Sequence, residues 1–174
     1  GTVLGAGGYL LIWADNDISD AGLHASFGLD SDGDEVALFD VDGATLIDEV
    51  AESGLRPDAV VLSVGGGGLL CGVVQGLHHH GMEDVPVLAV ETAGAASLGA
   101  SLAAGRHLEL ERIATVATSL GAKKGAARAW QWCTSHDIRS HCVSDLEAVE
   151  SCLRFAADHR VLVEPACGAS LAAL

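Results

Sequence analysis

The sequence predicts an α/β protein in which a parallel sheet with flanking helices is preceded by a short antiparallel β segment. Two continuous apolar runs, residues 59–64 and 85–90, are typical of strands buried on both faces of a sheet. Segments with helical spacing of apolar residues follow each run, and strands that alternate with helices predict parallel pairing. Before about residue 50 the pattern differs, with short β-prone runs between turns rich in Gly and Asp.

This change of pattern predicts two parts, a β-rich segment at residues 1–48 and an α/β segment at residues 49–174. In the first part, β-prone runs at residues 9–13 and 35–39 are bounded by turn residues, which favours antiparallel strands. An acidic stretch at residues 30–35 lacks the register of a calcium-binding loop, so a turn between strands is the better interpretation.

Apolar spacing predicts six helices in or near the second part. The best patterned is residues 145–159, an amphipathic helix with one apolar face and with Ser144 suited to the N-cap position. The residues on that face are Leu146, Val149, Leu153 and Ala157. The other five helices are predicted at residues 45–53, 69–80, 95–104, 125–135 and 166–174.

The chain is strongly acidic, with 9 basic and 24 acidic residues and a net charge of −15. A negative field of this size repels phosphate backbones and anionic lipid, so the charge argues against nucleic acid and membrane surfaces as partners. No apolar run reaches the roughly 20 residues of a membrane-spanning helix. The sequence starts without Met and stops within a predicted helix, so we expect a piece of a longer product.

Five cysteines occur without a Cys-x-x-Cys pair or the spacing of zinc ligands. Free thiols in a reducing cytoplasm are the expected state. Cys167 has no indicated His partner, so a buried structural thiol is favoured over a catalytic one. The run of His at 78–80 is expected to be a solvated helix end, because adjacent helical residues do not share a face.

A run of four glycines at residues 65–68 is the most informative motif. It follows a predicted buried strand and opens a predicted helix, so its backbone N–H groups and the helix N-terminus together predict a site for a phosphate monoester. The alternative is a flexible strand-to-helix turn. The Lys-Ser/Thr ending of a nucleotide P-loop is absent, and the dinucleotide-binding fingerprint is not convincingly met.

The stretch Ser-Val-Gly-Gly-Gly-Gly-Leu-Leu-Cys-Gly-Val-Val-Gln-Gly-Leu at residues 63–77 resembles the phosphate loop of the liver-type L-serine dehydratases/L-threonine deaminases. Residues 84–92, 118–123, 143–149 and 161–169 resemble further motifs of that family in the same order, so the resemblance covers about residues 50–174. It implies the large domain of a fold type II pyridoxal-phosphate enzyme. It also implies an ammonia-lyase that converts L-serine or L-threonine to pyruvate or 2-oxobutyrate.

The resemblance also implies two sets of site residues. The backbone amides that would hold the phosphate of pyridoxal 5'-phosphate are those of Gly65, Gly66, Gly67, Gly68 and Leu69. A monovalent cation, usually potassium, would be bound by Glu91, Ala95, Leu120 and Ala122. A hard cation suits a carboxylate and carbonyl oxygens. The alternative for Glu91 is that it only caps the helix that follows it.

The family's Schiff-base lysine segment, which precedes the glycine loop, is not found. The only lysines are Lys123 and Lys124, which match a surface-like stretch of the family, so no catalytic residue is assigned. Residues 1–48 instead resemble part of a lamin-tail β-sandwich domain, which suggests a recombined sequence. We expect an incomplete dehydratase with little turnover, as a homodimer or prone to aggregate because one side of the cleft is missing. The alternatives are a substitute role for one of the two lysines, and a non-catalytic β-module fused to an inert α/β fragment.

Overall fold

The computed structural model describes residues 12–14, 23–25, 47, 54 and 56–174. The chain divides into two compact units, Gly1–Val36 and Ala37–Leu174. In the first unit, β1 (Ile12–Ala14) and β2 (Leu23–Ala25) pair in parallel, so the prediction of antiparallel pairing is wrong for these two strands. Turn residues between two β-prone runs do not fix strand direction, and only a tight hairpin loop does so. The strand predicted at residues 35–39 lies outside the described residues.

The second unit contains a three-stranded sheet, which confirms the predicted parallel α/β architecture. Its strands are β3 (Val60–Ser63), β4 (Val87–Thr92) and β5 (Ile138–Val143), in the order β3-β4-β5 with both pairs parallel. The two apolar runs form β3 and β4 as predicted. The third strand was not predicted, because four of its six residues are polar or exposed and carry no apolar run.

Within residues 56–174, five helices and one short 3₁₀ helix surround this sheet. The helices are α1 (Gly68–His79), α2 (Ser97–Ala104), α3 (Ala127–Trp132), α4 (Asp145–His159) and α5 (Pro165–Ala172). The 3₁₀ helix spans Thr118–Leu120. The bounds of α4 are those predicted, whereas α3 is shorter than predicted. Most of the helix predicted at residues 45–53 lies outside the described residues. No described helix is long and apolar enough to cross a bilayer.

The two faces of the sheet are covered by different helices. On one face Leu62, Val87 and Ala89 pack into a cluster with buried residues of α1, which include Leu70 and Val74. On the other face Val90 packs into a second cluster that includes Ala148, Ala166 and Ala169 of α4 and α5. Neighbouring residues of β4 point to opposite faces because side chains alternate along a strand. The core is therefore aliphatic on both sides.

Helix α4 begins as predicted but is turned differently from what its pattern suggests. The Ser144 hydroxyl accepts a hydrogen bond from the Glu147 amide, and the Glu147 carboxylate accepts one from the Ser144 amide, which is a capping box. Its one buried residue is Ala148, whereas Leu146 and Leu153 on the apolar face are 66% and 65% exposed. The face of α4 that carries small side chains is turned toward the protein, because α4 packs closely against α5.

Close packing of α4 on α5 depends on Gly168. A Cβ atom at this position would overlap the Ala148 carbonyl oxygen and come within 2.5 Å of Cys152 Sγ. We predict that Gly168→Ala lowers the free energy of unfolding by about 3 kcal/mol, since helix backbones must move apart to admit the methyl group. Chemical denaturation measures this, with Gly72→Ala as the matched control. Gly72 has open space around it on α1, so its variant should be neutral or slightly stabilised. Equal stabilities for the two variants would contradict the packing argument.

A pair of histidines joins the end of α1 to the segment before β5. His78 Nε2 lies 3.1 Å from His136 Nδ1, and His136 Nε2 lies 2.9 Å from the Val85 carbonyl oxygen. Since a carbonyl only accepts, His136 Nε2 carries a proton, and His136 Nδ1 accepts from His78 Nε2. The ring of His78 also contacts that of Trp132. The prediction of a fully solvated histidine run is therefore wrong for His78 and correct for the exposed His79.

This pair predicts a loss of stability in mild acid. Burial lowers the pKa of His136 from 6.5, with His78 acting in the same direction. The folded state therefore binds this proton less tightly than the unfolded state, and the free energy of unfolding falls as the pH drops below 6.5. The fall is at most about 1.4 kcal/mol per pH unit for one group. Denaturation at several pH values should show a shallower slope for His136→Gln and an unchanged slope for His79→Gln. An identical slope for all three chains would refute the assignment.

Candidate functional site

The glycine run lies at the carboxyl edge of the parallel sheet, where α/β proteins bind ligands. The Val64 amide extends the β3–β4 pairing by donating to the Val90 carbonyl at 2.8 Å. The chain then turns through Gly65, Gly66 and Gly67, and α1 begins at Gly68. Gly67 is the N-cap of α1 with φ 92° and ψ 9°, a left-handed conformation that strongly favours glycine.

Two of these glycines are also required by close contacts with later parts of the chain. A Cβ atom on Gly65 would lie 2.9 Å from both the Leu120 Cα and the Ser119 carbonyl oxygen. A Cβ atom on Gly67 would lie 2.7 Å from the Ala129 Cβ. The Gly66 carbonyl accepts a hydrogen bond from the Ala126 amide at 2.7 Å. The loop is therefore held between the 3₁₀ helix and α3, and the alternative of a flexible turn does not describe it.

The amide groups at this turn are available to a ligand. No hydrogen bond within the described part of the chain uses the amides of Gly65, Gly66, Gly67, Gly68 or Leu69 as donors. The start of α1 has neither a side-chain cap nor an acidic residue in its first turn. A helix N-terminus carries partial positive charge, and successive N–H groups in a turn attract an anion. The geometry fits a phosphate group, and larger residues would fill the space that the glycines leave.

Glu91, one of the predicted cation ligands, lies near the end of β4 and is completely buried. Its Oε1 accepts from the Leu98 amide at 2.8 Å and its Oε2 from the Gly99 amide at 2.7 Å. Burial raises the pKa of this carboxyl, and the amides of Leu98 and Gly99 act in the opposite direction. Glu91 thus caps α2, which was the alternative interpretation of this residue.

The other three predicted cation ligands would act through their carbonyl groups. The Ala95 carbonyl accepts from the Ser97 amide at 3.0 Å, and the Leu120 carbonyl accepts from the Ala122 amide at 2.8 Å. Leu120 also packs against Gly65, so the structure joins part of the predicted cation set to the glycine loop. Among the described residues, no hydrogen bond links Glu91 to Leu120 or Ala122.

Sequence reasoning missed two polar features at this edge of the sheet. Thr115 Oγ1 donates to Asp145 at 2.6 Å and accepts from Thr92 Oγ1 at 2.9 Å, which ties the segment before the 3₁₀ helix to β4 and α4. Ser97 Oγ is buried and has no hydrogen-bond partner among the described residues. Neither feature has a local motif, because each joins residues that are distant in sequence or depends on packing.

No described cysteine forms a disulfide, and none has the surroundings of a nucleophile. Burial raises the pKa of Cys133 to about 11. Cys167 is exposed, so the prediction that it is buried is wrong. Desolvation and then the charge of Glu164 raise the pKa of its thiol, so it stays protonated near neutral pH. Among the described residues no group of three His, Cys, Asp or Glu side chains could hold a metal ion.

Comparison with known proteins gives the family. Residues 26–174 match the family described as pyridoxal-phosphate dependent enzyme. The chain belongs to this family. It is 49% identical over 132 residues to human L-serine dehydratase/L-threonine deaminase, a match that covers 75% of this chain and 40% of that protein. It is 53% identical over 133 residues to a rat serine dehydratase-like protein, with the same two coverages.

Among solved structures, the L-serine ammonia-lyase of the fungus Rhizomucor miehei is similar with a TM-score of 0.73 and 33% identity. That match covers 87% of this chain and 47% of the fungal one. These findings confirm the predicted family and fold. The chain spans about 40% of the length of the curated relatives named above. The predicted boundary at residue 48 and the lamin-tail resemblance stay predictions.

Proposed function

We propose that the chain is part of an L-serine/L-threonine dehydratase and that its glycine loop holds the phosphate of pyridoxal 5'-phosphate. The observation that supports this most is the set of five unused amides at the start of α1, on a loop that needs glycine at Gly65 and Gly67. Family membership supplies the cofactor, and the names of the relatives supply the reaction class. L-Serine and L-threonine are the proposed substrates.

The contribution of this loop to the reaction is to bind and orient. When bound, the cofactor supplies an electron sink for the bonds broken at the amino-acid α-carbon. The amides of residues 65–69 and the N-terminus of α1 would hold its phosphate at the sheet edge. These amide donors carry no net charge, so they would hold the phosphate in either of its protonation states.

Turnover by this chain alone is expected to be very low. Its only lysines, Lys123 and Lys124, follow the loop instead of preceding it, and no catalytic residue is assigned to the chain. We propose a cytoplasmic location, because the described cysteines form no disulfide. We also propose self-association, because the large apolar residues Leu146, Leu153 and Leu162 are strongly exposed.

We further propose a potassium site that uses Glu91 with the carbonyls of Ala95, Leu120 and Ala122. Each of the Ala95 and Leu120 carbonyls accepts one protein hydrogen bond and so keeps a second lone pair. The buried Ser97 hydroxyl has no hydrogen-bond partner among the described residues and lies two residues from Ala95, so it could complete an oxygen-rich site. The Leu98 and Gly99 amides that donate to the Glu91 carboxylate leave further lone pairs on its oxygens. An oxygen set of this kind suits a hard cation.

The phosphate proposal predicts that Gly67→Ala weakens binding of pyridoxal 5'-phosphate by roughly tenfold or more. The added methyl group meets Ala129, and the left-handed backbone at φ 92° is unfavourable for alanine. Titration followed by cofactor absorbance measures the affinity, and circular dichroism shows whether the variant is folded. Gly72→Ala on the same helix is the control and should bind as the unmodified chain does.

Pyridoxal without its phosphate separates the phosphate site from general ring binding. The unmodified chain should bind the phosphorylated form at least roughly tenfold more tightly. Equal binding of both forms, or no difference between Gly67→Ala and Gly72→Ala, would refute the proposed phosphate site at the glycine loop. Pyruvate formation from L-serine should be undetectable. Ready turnover would show that Lys123 or Lys124 serves as the substitute lysine.

The potassium proposal predicts that potassium chloride stabilises the chain more than tetramethylammonium chloride at the same ionic strength. A cation present at ten times its dissociation constant adds about 1.4 kcal/mol to the free energy of unfolding. Thermal denaturation measures the difference between the two salts. Glu91→Gln should abolish it, whereas Glu150→Gln on the exposed surface of α4 should not. No salt difference in the unmodified chain would exclude the site.

A further inference from the structure

We propose that Lys123 and Lys124 form a basic edge beside the glycine loop that attracts the phosphate of the incoming cofactor. This inference rests on the proposed function, because it assigns an electrostatic role at the same phosphate site. Neither lysine is among the five amide donors assigned above. Their proposed role is to accelerate association and to add a modest, salt-sensitive part of the affinity.

The backbone places this lysine pair next to the loop. Immediately after the pair, the Ala126 amide donates to the Gly66 carbonyl at 2.7 Å. A Cβ atom on Gly125 would lie 3.7 Å from that same carbonyl oxygen. On the other side of the pair, Leu120 packs against Gly65. The segment from the 3₁₀ helix to α3 is therefore bound to the loop at both ends, with the lysines between.

The same segment is held from its outer side. The Leu110 amide donates to the Lys123 carbonyl at 2.7 Å, and His107 Nε2 lies 2.8 Å from the Gly125 carbonyl. Because the carbonyls of this segment are used in these contacts, the backbone that carries the two lysines has a defined position. A lysine side chain reaches about 6 Å from its Cα, and the segment that carries the two lysines contacts the loop at the Gly66 carbonyl.

The charges of the two lysines are not used elsewhere in the described chain. Both side chains are exposed, and neither forms an ion pair with a described carboxylate. Two arginines, by contrast, are paired: Arg56 with Asp84 and Arg139 with Asp137. A third, Arg128, lies over the ring of Trp132 at 4.3 Å. In a chain of net charge −15, the only two lysines stand beside the only glycine run.

The surrounding acidic residues set the size of the expected effect. Glu109 and Glu111 flank Leu110, whose amide donates to the Lys123 carbonyl. Glu164 Oε2 accepts a hydrogen bond from Ser119 Oγ at 3.0 Å. These carboxylates offset part of the positive charge of the lysines. Exposed charges also interact weakly in water, so a loss of roughly fivefold in affinity is expected when both lysines are neutralised.

The test compares two double variants that remove the same amount of charge. K123Q/K124Q neutralises the lysine pair, and R56Q/R139Q neutralises two arginines at the opposite, amino-terminal edge of the sheet. Stopped-flow mixing with pyridoxal 5'-phosphate gives association and dissociation rates at low and high ionic strength, about 0.02 M and about 0.5 M. Pyridoxal serves as the uncharged probe in the same experiment.

The expected result is slower association and roughly fivefold weaker affinity for K123Q/K124Q at low ionic strength only. The arginine variant should bind as the unmodified chain does, and pyridoxal should bind all three chains equally. Equal effects of the two double variants, or an effect that persists at high salt, would overturn the inference. Either result would leave the proposed phosphate site at the glycine loop unaffected. A stoichiometric adduct on either lysine after borohydride reduction would also overturn the inference. An unmodified chain that does not prefer the phosphorylated form would overturn the proposed function and this inference together.

Discussion

Gly65 and Gly67 lie against later segments of the chain at distances that leave no room for a Cβ atom. Through these contacts the loop after β3 is bound to the 3₁₀ helix and to α3, and the position of both depends on the glycines. Four consecutive glycines would otherwise be costly, because glycine loses the most conformational freedom on folding. The close contacts of Gly65 and Gly67 explain why these positions have no side chain. The absence of side chains also leaves the amides of residues 65–69 accessible to a ligand, and no hydrogen bond within the described residues uses them.

The parallel register determines which groups meet around this loop. Val60, Val87 and Ile138 are paired across the sheet, so the three strands end at the same edge. That edge carries the glycine loop after β3 and Glu91 near the end of β4. After β5 come the N-cap of α4 and Asp145, which holds the segment before the 3₁₀ helix through Thr115. The carboxyl edge of a parallel sheet is the usual position of ligand sites in α/β folds.

The features that could be predicted from the sequence have strong local causes. Continuous apolar runs identified β3 and β4, the amphipathic pattern with Ser144 at the N-cap identified α4, and the four glycines identified the loop between β3 and α1. The features that could not be predicted depend on packing. Strand β5 is an exposed edge strand and lacks an apolar run.

Helix α4 shows the same limit within a single element. Its amphipathic pattern was read correctly as a helix, but the side that faces the protein is the one with small residues, because α5 approaches closely at Gly168. The sequence likewise did not decide which groups Glu91 contacts. Capping a helix and binding a cation require the same residue type at the same place, and only the Leu98 and Gly99 contacts showed the cap.

We propose above that the backbone amides of residues 65–69 bind a phosphate group. The most direct measurement is an ¹⁵N–¹H correlation spectrum of the labelled chain during titration with pyridoxal 5'-phosphate, since each amide gives its own signal. The largest, saturable shifts should belong to these five residues, and inorganic phosphate should move the same signals. Shifts centred on another part of the chain, with these five signals unmoved, would contradict this proposal.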